Sequence, residues 1–136
     1  MVDNWIYVSN TAGRNPQTKE MPTGAIEQTD QVFDNIEMAL SAVDATLKDV
    51  VRARIFIQHH EKIHEIMVHI GTKFRGIDPA MTITCPPLGS PSYEVEIEVT
   101  AYRDAAKADV EHINICLLYT SPSPRDLSTS RMPSSA

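Results

Sequence analysis

The stretch of residues 79–102, PAMTITCPPLGSPSYEVEIEVTAY, constrains the fold of this chain more than any other. Its two arms, residues 80–85 and 92–102, alternate side chains with a period of two and are rich in Ile, Val, Thr and Tyr. This pattern predicts strands with unlike faces. The linker PPLGSP contains three prolines, which lack an N–H donor and fix φ, so a two-residue hairpin is excluded. We therefore predict a pair of strands whose stiff linker can form the wall of a pocket.

The second arm separates an apolar face from an acidic face. The apolar face, which predicts burial in the core, is made of Tyr93, Val95, Ile97, Val99 and Ala101. The acidic face is made of Glu94, Glu96, Glu98, Thr100 and Tyr102. Two interpretations of this face remain open. The carboxylates form a solvated row, since like charges so close are tolerated only when hydrated, or one of them, Glu96, lines a cleft and positions a water as general acid or base.

The hydrophobic period changes along the chain before this stretch. Residues 2–9 have the composition of a short strand and are followed by a loop rich in turn formers. Apolar residues then recur at threes and fours over residues 25–47, which predicts an amphipathic helix of about twenty residues. Residues 50–58 alternate like a strand, and residues 59–74 return to helical spacing.

The predicted order of elements is strand, helix, strand, helix, strand, strand. It indicates an α+β fold in which a mixed β-sheet carries two α-helices packed on one face. A single layer of helices leaves the other face of the sheet open, and we expect association between subunits to cover part of it. With 136 residues the chain is long enough for one domain with one core.

Charge and hydropathy exclude two classes of partner. A formal net charge of −6 argues against nucleic acid, because binding to phosphates requires clustered Lys and Arg. No apolar run approaches the ~20 residues that cross a bilayer, and the N-terminus lacks the basic flank and apolar stretch of a signal peptide. We therefore predict a cytoplasmic protein with no membrane partner. No disulfide is expected between Cys85 and Cys116.

The C-terminal residues 116–136 have no periodicity and are rich in Ser and Pro, which on composition alone predicts a disordered tail. A more specific interpretation comes from comparing this segment with translated DNA. CLLYTSPSPRD and SRMPSSA correspond to translations of two blocks of a transposase-based sequencing adapter, in the order that the adapter has. We therefore predict a folded domain over residues 1–104, a polar tail over residues 105–115 and an adapter-derived segment over residues 116–136.

Two local patterns each allow a chemical and a structural interpretation. His60 to His64 matches H-E-x-x-H, a zinc-binding motif of helices. It falls in the first turn of a short helix with no third ligand at a characteristic spacing, so we expect a solvated helix face and no metal. Ser9 precedes an Asn-Thr-Ala-Gly turn, where its hydroxyl fits either a local turn hydrogen bond or a strand end that faces a cleft.

One face of the first arm carries Met81, Ile83 and Cys85. Core packing is the ordinary fate of such a row. Cys85 has no neighbouring His in the sequence that would activate it as a nucleophile, so we do not expect covalent catalysis there.

Three stretches taken together resemble the RidA family, also called the YjgF family, of small trimeric enamine/imine deaminases. They are IYVSNTAGRNPQTKE near the start, DVVRARIFIQ after the first helix, and residues 79–102. The resemblance implies a chorismate-mutase-like homotrimer in which three mixed sheets form a barrel-like core with clefts between the subunits. It also implies that the family's first strand precedes residue 1 of this chain.

The resemblance also implies the residues of a site. The family's strand-end serine falls on Ser9, with Asn10 in place of the glycine that follows it, and the glutamate thought to orient the attacking water falls on Glu96. The family's arginine, which holds the carboxylate of a 2-imino acid, is replaced by Met81, whose thioether offers neither charge nor donor. The implied set has no cofactor and consists of catalytic Glu96 and substrate-binding Ser9, Met81, Ile83 and Cys85.

From this resemblance we expect a trimer that binds small metabolites between its subunits and catalyses the hydrolytic deamination of reactive enamine or imine intermediates. The alternative is a trimer that has lost deaminase activity with the arginine and binds a small ligand in a regulatory role. The two hypotheses differ in whether an imine is hydrolysed faster than in buffer.

Overall fold

A computed structural model describes residues 1–113 of the chain. The predicted adapter-derived segment, residues 116–136, lies outside the described residues. The helices and strands are β1 (Trp5–Ala12), α1 (Ala25–Ser41), β2 (Val50–Ile57), α2 (Ile63–Lys73), β3 (Ala80–Thr84) and β4 (Val95–Tyr102). Short 3₁₀ turns precede β2 and α2 and follow β4, at Leu47–Asp49, His60–Lys62 and Ala105–Lys107. The predicted order of helices and strands is confirmed.

The four strands form one mixed sheet in the order β1-β4-β2-β3. Strand β4 pairs antiparallel with both β1 and β2, while β3 pairs parallel with β2 at the edge. The predicted pairing of residues 80–85 with residues 92–102 is therefore wrong, because β2 lies between these two strands. The crossover through α2 places β3 beside β2 and parallel to it. The proline-rich linker then has to cross the end of β2, a span of about 10 Å at the usual strand spacing.

Both helices cover one face of the sheet, and the core lies between them and that face. The covered face presents alternate residues of the central strands, which are almost or fully inaccessible to solvent: Ala53, Ile55, Ile57, Val95, Ile97, Val99 and Ala101. Helix α1 contributes a buried row that includes Phe33, whose ring meets that of Phe74 edge to face with 5.1 Å between centroids. The predicted α+β architecture, a mixed sheet with helices on one side, is confirmed.

The first helix is shorter than the periodicity predicted. It ends at Ser41, and Asp44 adopts a left-handed conformation with φ of 56°, which breaks the helix before residue 47. Val43 and Leu47 nevertheless pack against the core from the turn and the 3₁₀ segment that follow. The apolar residues therefore keep a helical spacing up to residue 47, although the helical backbone ends at Ser41.

The two helices are joined at their surface by one carboxylate. Asp30 of α1 lies 2.6 Å from Nε2 of His69 and 3.0 Å from Nζ of Lys73, one turn further along α2. The hydrogen bond from His69 is the main cause of a pKa of Asp30 below its ordinary value, and Lys73 acts in the same direction.

Within residues 1–113, no helix has both the length and the apolar character that crossing a bilayer requires.

We expect Asp30→Asn to lower the free energy of unfolding at pH 7 by a few tenths of a kcal/mol, at most about 1, because the pair is partly exposed and screened. Since the folded pKa of Asp30 is depressed, its contribution is complete above the unfolded pKa and is lost as the pH falls through the folded pKa. The difference from wild type should therefore shrink once the pH falls below the ordinary pKa of an aspartate and vanish below the folded pKa of Asp30. Urea unfolding at pH 7 and across the acid range measures the difference, with Asp34→Asn on the same helix as the control. A difference that persists at low pH would contradict the assignment.

Candidate functional site

A β-bulge near the middle of β1 places a polar pair on the open face of the sheet. Val8 pairs with Val99 and Thr11 with Ile97, so Ser9 and Asn10 together oppose a single residue of β4. Within the bulge, Asn10 donates from Nδ2 to Oε2 of Glu96 at 3.0 Å. The sequence analysis placed Glu96 in a candidate site but missed Asn10 as its partner, because a bulge leaves no periodic signal.

The same bulge changes the setting of Ser9. We predicted that Ser9 ends the first strand, but β1 continues to Ala12 because pairing with β4 resumes after the extra residue. The local hydrogen bond here uses the carbonyl of Ser9, which accepts from Oγ1 of Thr11 at 2.8 Å. Ser9 is exposed and lies one residue from Asn10, on the strand that flanks Glu96.

The three glutamates of the predicted acidic face have three different environments. Glu98 forms an ion pair with Arg54 of β2 at 2.9 Å, on the open face. Glu94 lies before the start of β4, is 8% exposed and accepts from Nζ of Lys62 at 2.8 Å, so it does not belong to an exposed row. Glu96 is partly exposed, and its carboxylate contacts the neutral amide of Asn10. Of the three, Glu96 is the carboxylate left without a cationic partner among the described residues.

The edge strand β3 carries the other predicted site residues. Met81 and Ile83 are 45% and 43% exposed, and their register with the buried Ala53 and Ile55 places them on the helix-covered side of the sheet. Glu96 pairs with Phe56, on the open side. Within one protomer the predicted residues therefore divide into two groups, Ser9 with Glu96 on one side and Met81 with Ile83 on the other.

Two glutamines hold the linker between β3 and β4 in place. Gln58, just after β2, donates from Nε2 to the carbonyls of residues 90, 91 and 93 at 2.7 to 3.1 Å, and its Oε1 accepts from the N–H of Leu88 at 2.8 Å. The carbonyl of Gln58 also lies 3.6 Å from Sγ of Cys85, which follows the last residue of β3. Gln58 thus fixes the path of the linker over the end of β2.

The second glutamine, Gln28 of α1, is 1% exposed. Its Nε2 donates to the carbonyls of Pro22 and Ser92 at 2.7 and 2.9 Å, and its Oε1 accepts from the N–H of Glu94 at 2.8 Å. It therefore ties the linker to the loop before α1 and sets the start of β4, two residues from Glu96. The sequence analysis missed both glutamines, because an isolated amide gives no signal that distinguishes a buried clamp from a surface residue.

The H-E-x-x-H residues lie at the start of α2 and in the 3₁₀ turn before it. His60 lies in the 3₁₀ turn and His64 in the first turn of α2, and both are exposed. Among residues 1–113, no group of three or more His, Cys, Asp or Glu side chains is arranged to hold a metal ion. Between the two histidines, Lys62 is engaged by Glu94, whose carboxylate is the main cause of a raised pKa of that lysine.

Comparison with known proteins identifies relatives over most of the described chain. The family model described as Endoribonuclease L-PSP matches residues 1–103. A 2-iminobutanoate/2-iminopropanoate deaminase of Dermatophagoides farinae is 39% identical over 59 residues. The match covers 43% of this chain and 46% of that protein, so the chain spans less than half the length of this relative. A RutC family protein of Aquifex aeolicus is 28% identical over 105 residues, covering 75% of this chain and 83% of the relative.

A solved structure of a related protein has a similar fold. The crystal structure of a member of the YjgF/YER057c/UK114 family from Mycobacterium tuberculosis is similar, with a TM-score of 0.67 and 29% sequence identity. The similarity covers 75% of this chain and 81% of that one. The mixed four-stranded sheet with two helices is thus the architecture of these proteins.

Proposed function

Because this chain belongs to the Endoribonuclease L-PSP family, the RidA/YjgF proteins, we propose that it forms a homotrimer that hydrolyses small imines or enamines in the clefts between its subunits. The relative named as an iminobutanoate deaminase supports the reaction class. The word ribonuclease in the family description is a weaker guide for this chain, because its net charge of −6 disfavours RNA.

The observation that carries the proposal is the division of the site residues between the two sides of the sheet. Glu96 and Asn10 lie on the open face, whereas Met81 and Ile83 lie at the outer edge on the helix side. A second copy that docks its β3 edge beside the open face would bring the two groups together. Exposed aromatic residues on that face, Trp5 and Tyr102 with ring centroids 5.0 Å apart, and Tyr7 with 65% exposure, supply apolar area for such contact.

The arrangement around Glu96 suits activation of a water. Asn10 occupies Oε2 of the carboxylate, which leaves Oε1 to accept a hydrogen bond from a water. In the proposed reaction the carboxylate takes a proton from this water as its oxygen attacks the imine carbon. Delivery of this proton to the nitrogen gives a carbinolamine. The carboxylate then transfers the hydroxyl proton of the carbinolamine to the nitrogen, and the C–N bond breaks to give a carbonyl compound and ammonia. No redox cofactor is needed for these steps.

The proposal is tested by following imine loss in the presence of the full-length protein. 2-Iminopropanoate can be generated in situ by an amino acid oxidase and uncharged imines by an amine oxidase, with semicarbazide trapping as the readout. We expect loss above the buffer rate for at least one class. No acceleration with any imine would overturn the enzymatic proposal. It would favour the second candidate function, a ligand-binding trimer without deaminase activity. Met81, which stands in place of an anchoring arginine, supports this second candidate.

We expect Met81→Arg to raise kcat/KM for 2-iminopropanoate by about 10- to 100-fold. A guanidinium at this position can donate a charge-assisted pair of hydrogen bonds to the substrate carboxylate, each interaction of this kind contributing about 1.5–3 kcal/mol. Met81 is exposed, so the larger side chain does not overpack the core. Met38→Arg, which adds the same charge at an exposed position of α1, is the control. An unchanged rate in a folded trimeric variant would contradict the placement of the cleft at β3.

A further inference from the structure

The start of β4 is the end of this strand that carries Glu96. Glu96 is the second residue of β4, and the linker before the strand contains three prolines, which cannot donate to a ladder. Strand ends with few backbone hydrogen bonds open more readily than strand centres. A carboxylate that acts as a general base near this end therefore needs further contacts to hold its position.

Glu94, two residues before Glu96, makes such contacts through both its backbone and its side chain. Its N–H donates to Oε1 of Gln28 at 2.8 Å, and its carbonyl accepts from the N–H of Gln58 at 3.1 Å. Its Oε1 accepts from Nζ of Lys62 at 2.8 Å. One residue thus joins the start of β4 to α1, to the segment that follows β2 and to the 3₁₀ turn before α2.

The charge of Glu94 is costly at this place. The residue is 8% exposed, and Oε2 of its carboxylate has no hydrogen-bond partner within residues 1–113, since Nε2 of His59 lies 3.9 Å away. Burial of a carboxylate with one oxygen unsatisfied costs free energy, and an apolar side chain would avoid that cost. Departures of this kind from the ordinary rules of burial occur at functional sites.

We propose that Glu94 is a positioning residue for Glu96, and that its ion pair with Lys62 holds the start of β4 in place beside β1. The proposal rests on the proposed function in that Glu96 is taken to be the general base. A displacement of Glu96 by about 1 Å would break its 3.0 Å hydrogen bond with Asn10, and a shift of that size can lower a rate about 10²-fold. Lys62 belongs to the H-E-x-x-H stretch, so this stretch acts through the lysine between its histidines.

The first test is Glu94→Gln in the full-length protein, which keeps the size of the side chain and the backbone contacts and removes the charge. We expect kcat for the imine that is hydrolysed fastest to fall about tenfold, with KM changed less than about twofold. The side-chain amide signals of Asn10 in NMR spectra should also shift, because this amide contacts Glu96. Asp104→Asn, which removes the carboxylate of the exposed pair with Lys107 at the other end of β4, should change neither.

A reversed ion pair separates the positioning role from a folding defect. Glu94→Lys alone places two cations together and Lys62→Glu alone places two carboxylates together, so each should lower kcat and move the Asn10 signals. The double variant has an ion pair of opposite polarity and should bring kcat back to within about threefold of wild type. Circular dichroism and urea unfolding at the assay temperature show whether each variant is folded when kcat is measured.

Unchanged kcat and unchanged Asn10 signals in folded Glu94→Gln would overturn the proposal. An equal loss in Asp104→Asn, or a double variant no better than the single variants, would also overturn it. If the wild type hydrolyses no imine, the Asn10 signals still decide. A shift in Glu94→Gln that the double variant reverses supports the positioning role although the catalytic proposal fails, so the two failures are distinguishable.

Discussion

A Glu96→Gln variant is expected to lose imine hydrolysis by about 10²- to 10⁴-fold, the usual contribution of a positioned general base. The substitution keeps the size and shape of the side chain and replaces the carboxylate with an amide, which does not take a proton from water. Asn10 can still donate to the remaining carbonyl oxygen, so the β1–β4 pairing around the bulge should be preserved. The loss should therefore appear in kcat rather than in the free energy of unfolding.

The matched control is Glu98→Gln, on the same strand and the same face. This carboxylate is paired with Arg54 at 2.9 Å, and we do not expect it to contact the reacting atoms. Its removal should change kcat/KM by less than about threefold and stability by less than about 1 kcal/mol, as is usual for an exposed pair. Full activity in Glu96→Gln, or an equal loss in both variants, would show that Glu96 does not activate the water.

The second large effect is on stability. Gln28→Leu should lower the free energy of unfolding by about 2–4 kcal/mol, because it leaves two carbonyls and one N–H without their buried partner. Leucine has nearly the same volume, so the loss reports hydrogen bonding rather than a cavity. Since Gln28 holds the linker and the start of β4, hydrogen exchange should also become faster at the amide of Glu94.

Gln31→Leu, one turn further along α1, is the control for this prediction. Gln31 is only partly buried and donates to Asn35 on its own helix, so its removal should change the free energy of unfolding by less than about 0.5 kcal/mol. Chemical denaturation of the two variants gives the comparison. A stability loss of the same size in both would show that α1 is sensitive to any change of amide and that Gln28 is not a specific clamp.

The sequence was sufficient to predict the order of elements and the buried face of β4. Core packing, the ordinary fate of the row of Met81, Ile83 and Cys85, is wrong for this chain, because β3 is an edge strand and all three side chains are exposed. Alternation at Val95, Ile97 and Val99 was enough for β4, since a period of two has only two possible orientations. Which strands lie next to each other in the sheet was harder to predict. The adjacency of the two arms of residues 79–102 in the chain suggested that they pair, but the crossover through α2 inserts β2 between them.

The candidate site was predicted only in part. Resemblance to a family indicated Glu96 and Met81. The contact of Asn10 with Glu96 was not predicted, because it depends on a β-bulge, and a β-bulge has no periodic pattern in a single sequence. Gln28 and Gln58 act through hydrogen bonds to backbone groups of a distant linker, and such partners depend on the completed fold. Periodicity reports which side of an element is apolar, and it carries no information on which buried amide meets which carbonyl.

All five residues of β3 are exposed, including Met81 and Ile83. Substitutions at exposed positions usually change the free energy of unfolding by no more than about 0.5 kcal/mol, so this strand can exchange side chains while the core under the helices stays intact. If the proposed cleft lies at β3, its ligand preference is thereby separable from folding. Arginine and methionine at position 81 could then replace one another in either direction without passing through an unfolded intermediate, which makes β3 the natural starting point for directed evolution of that cleft.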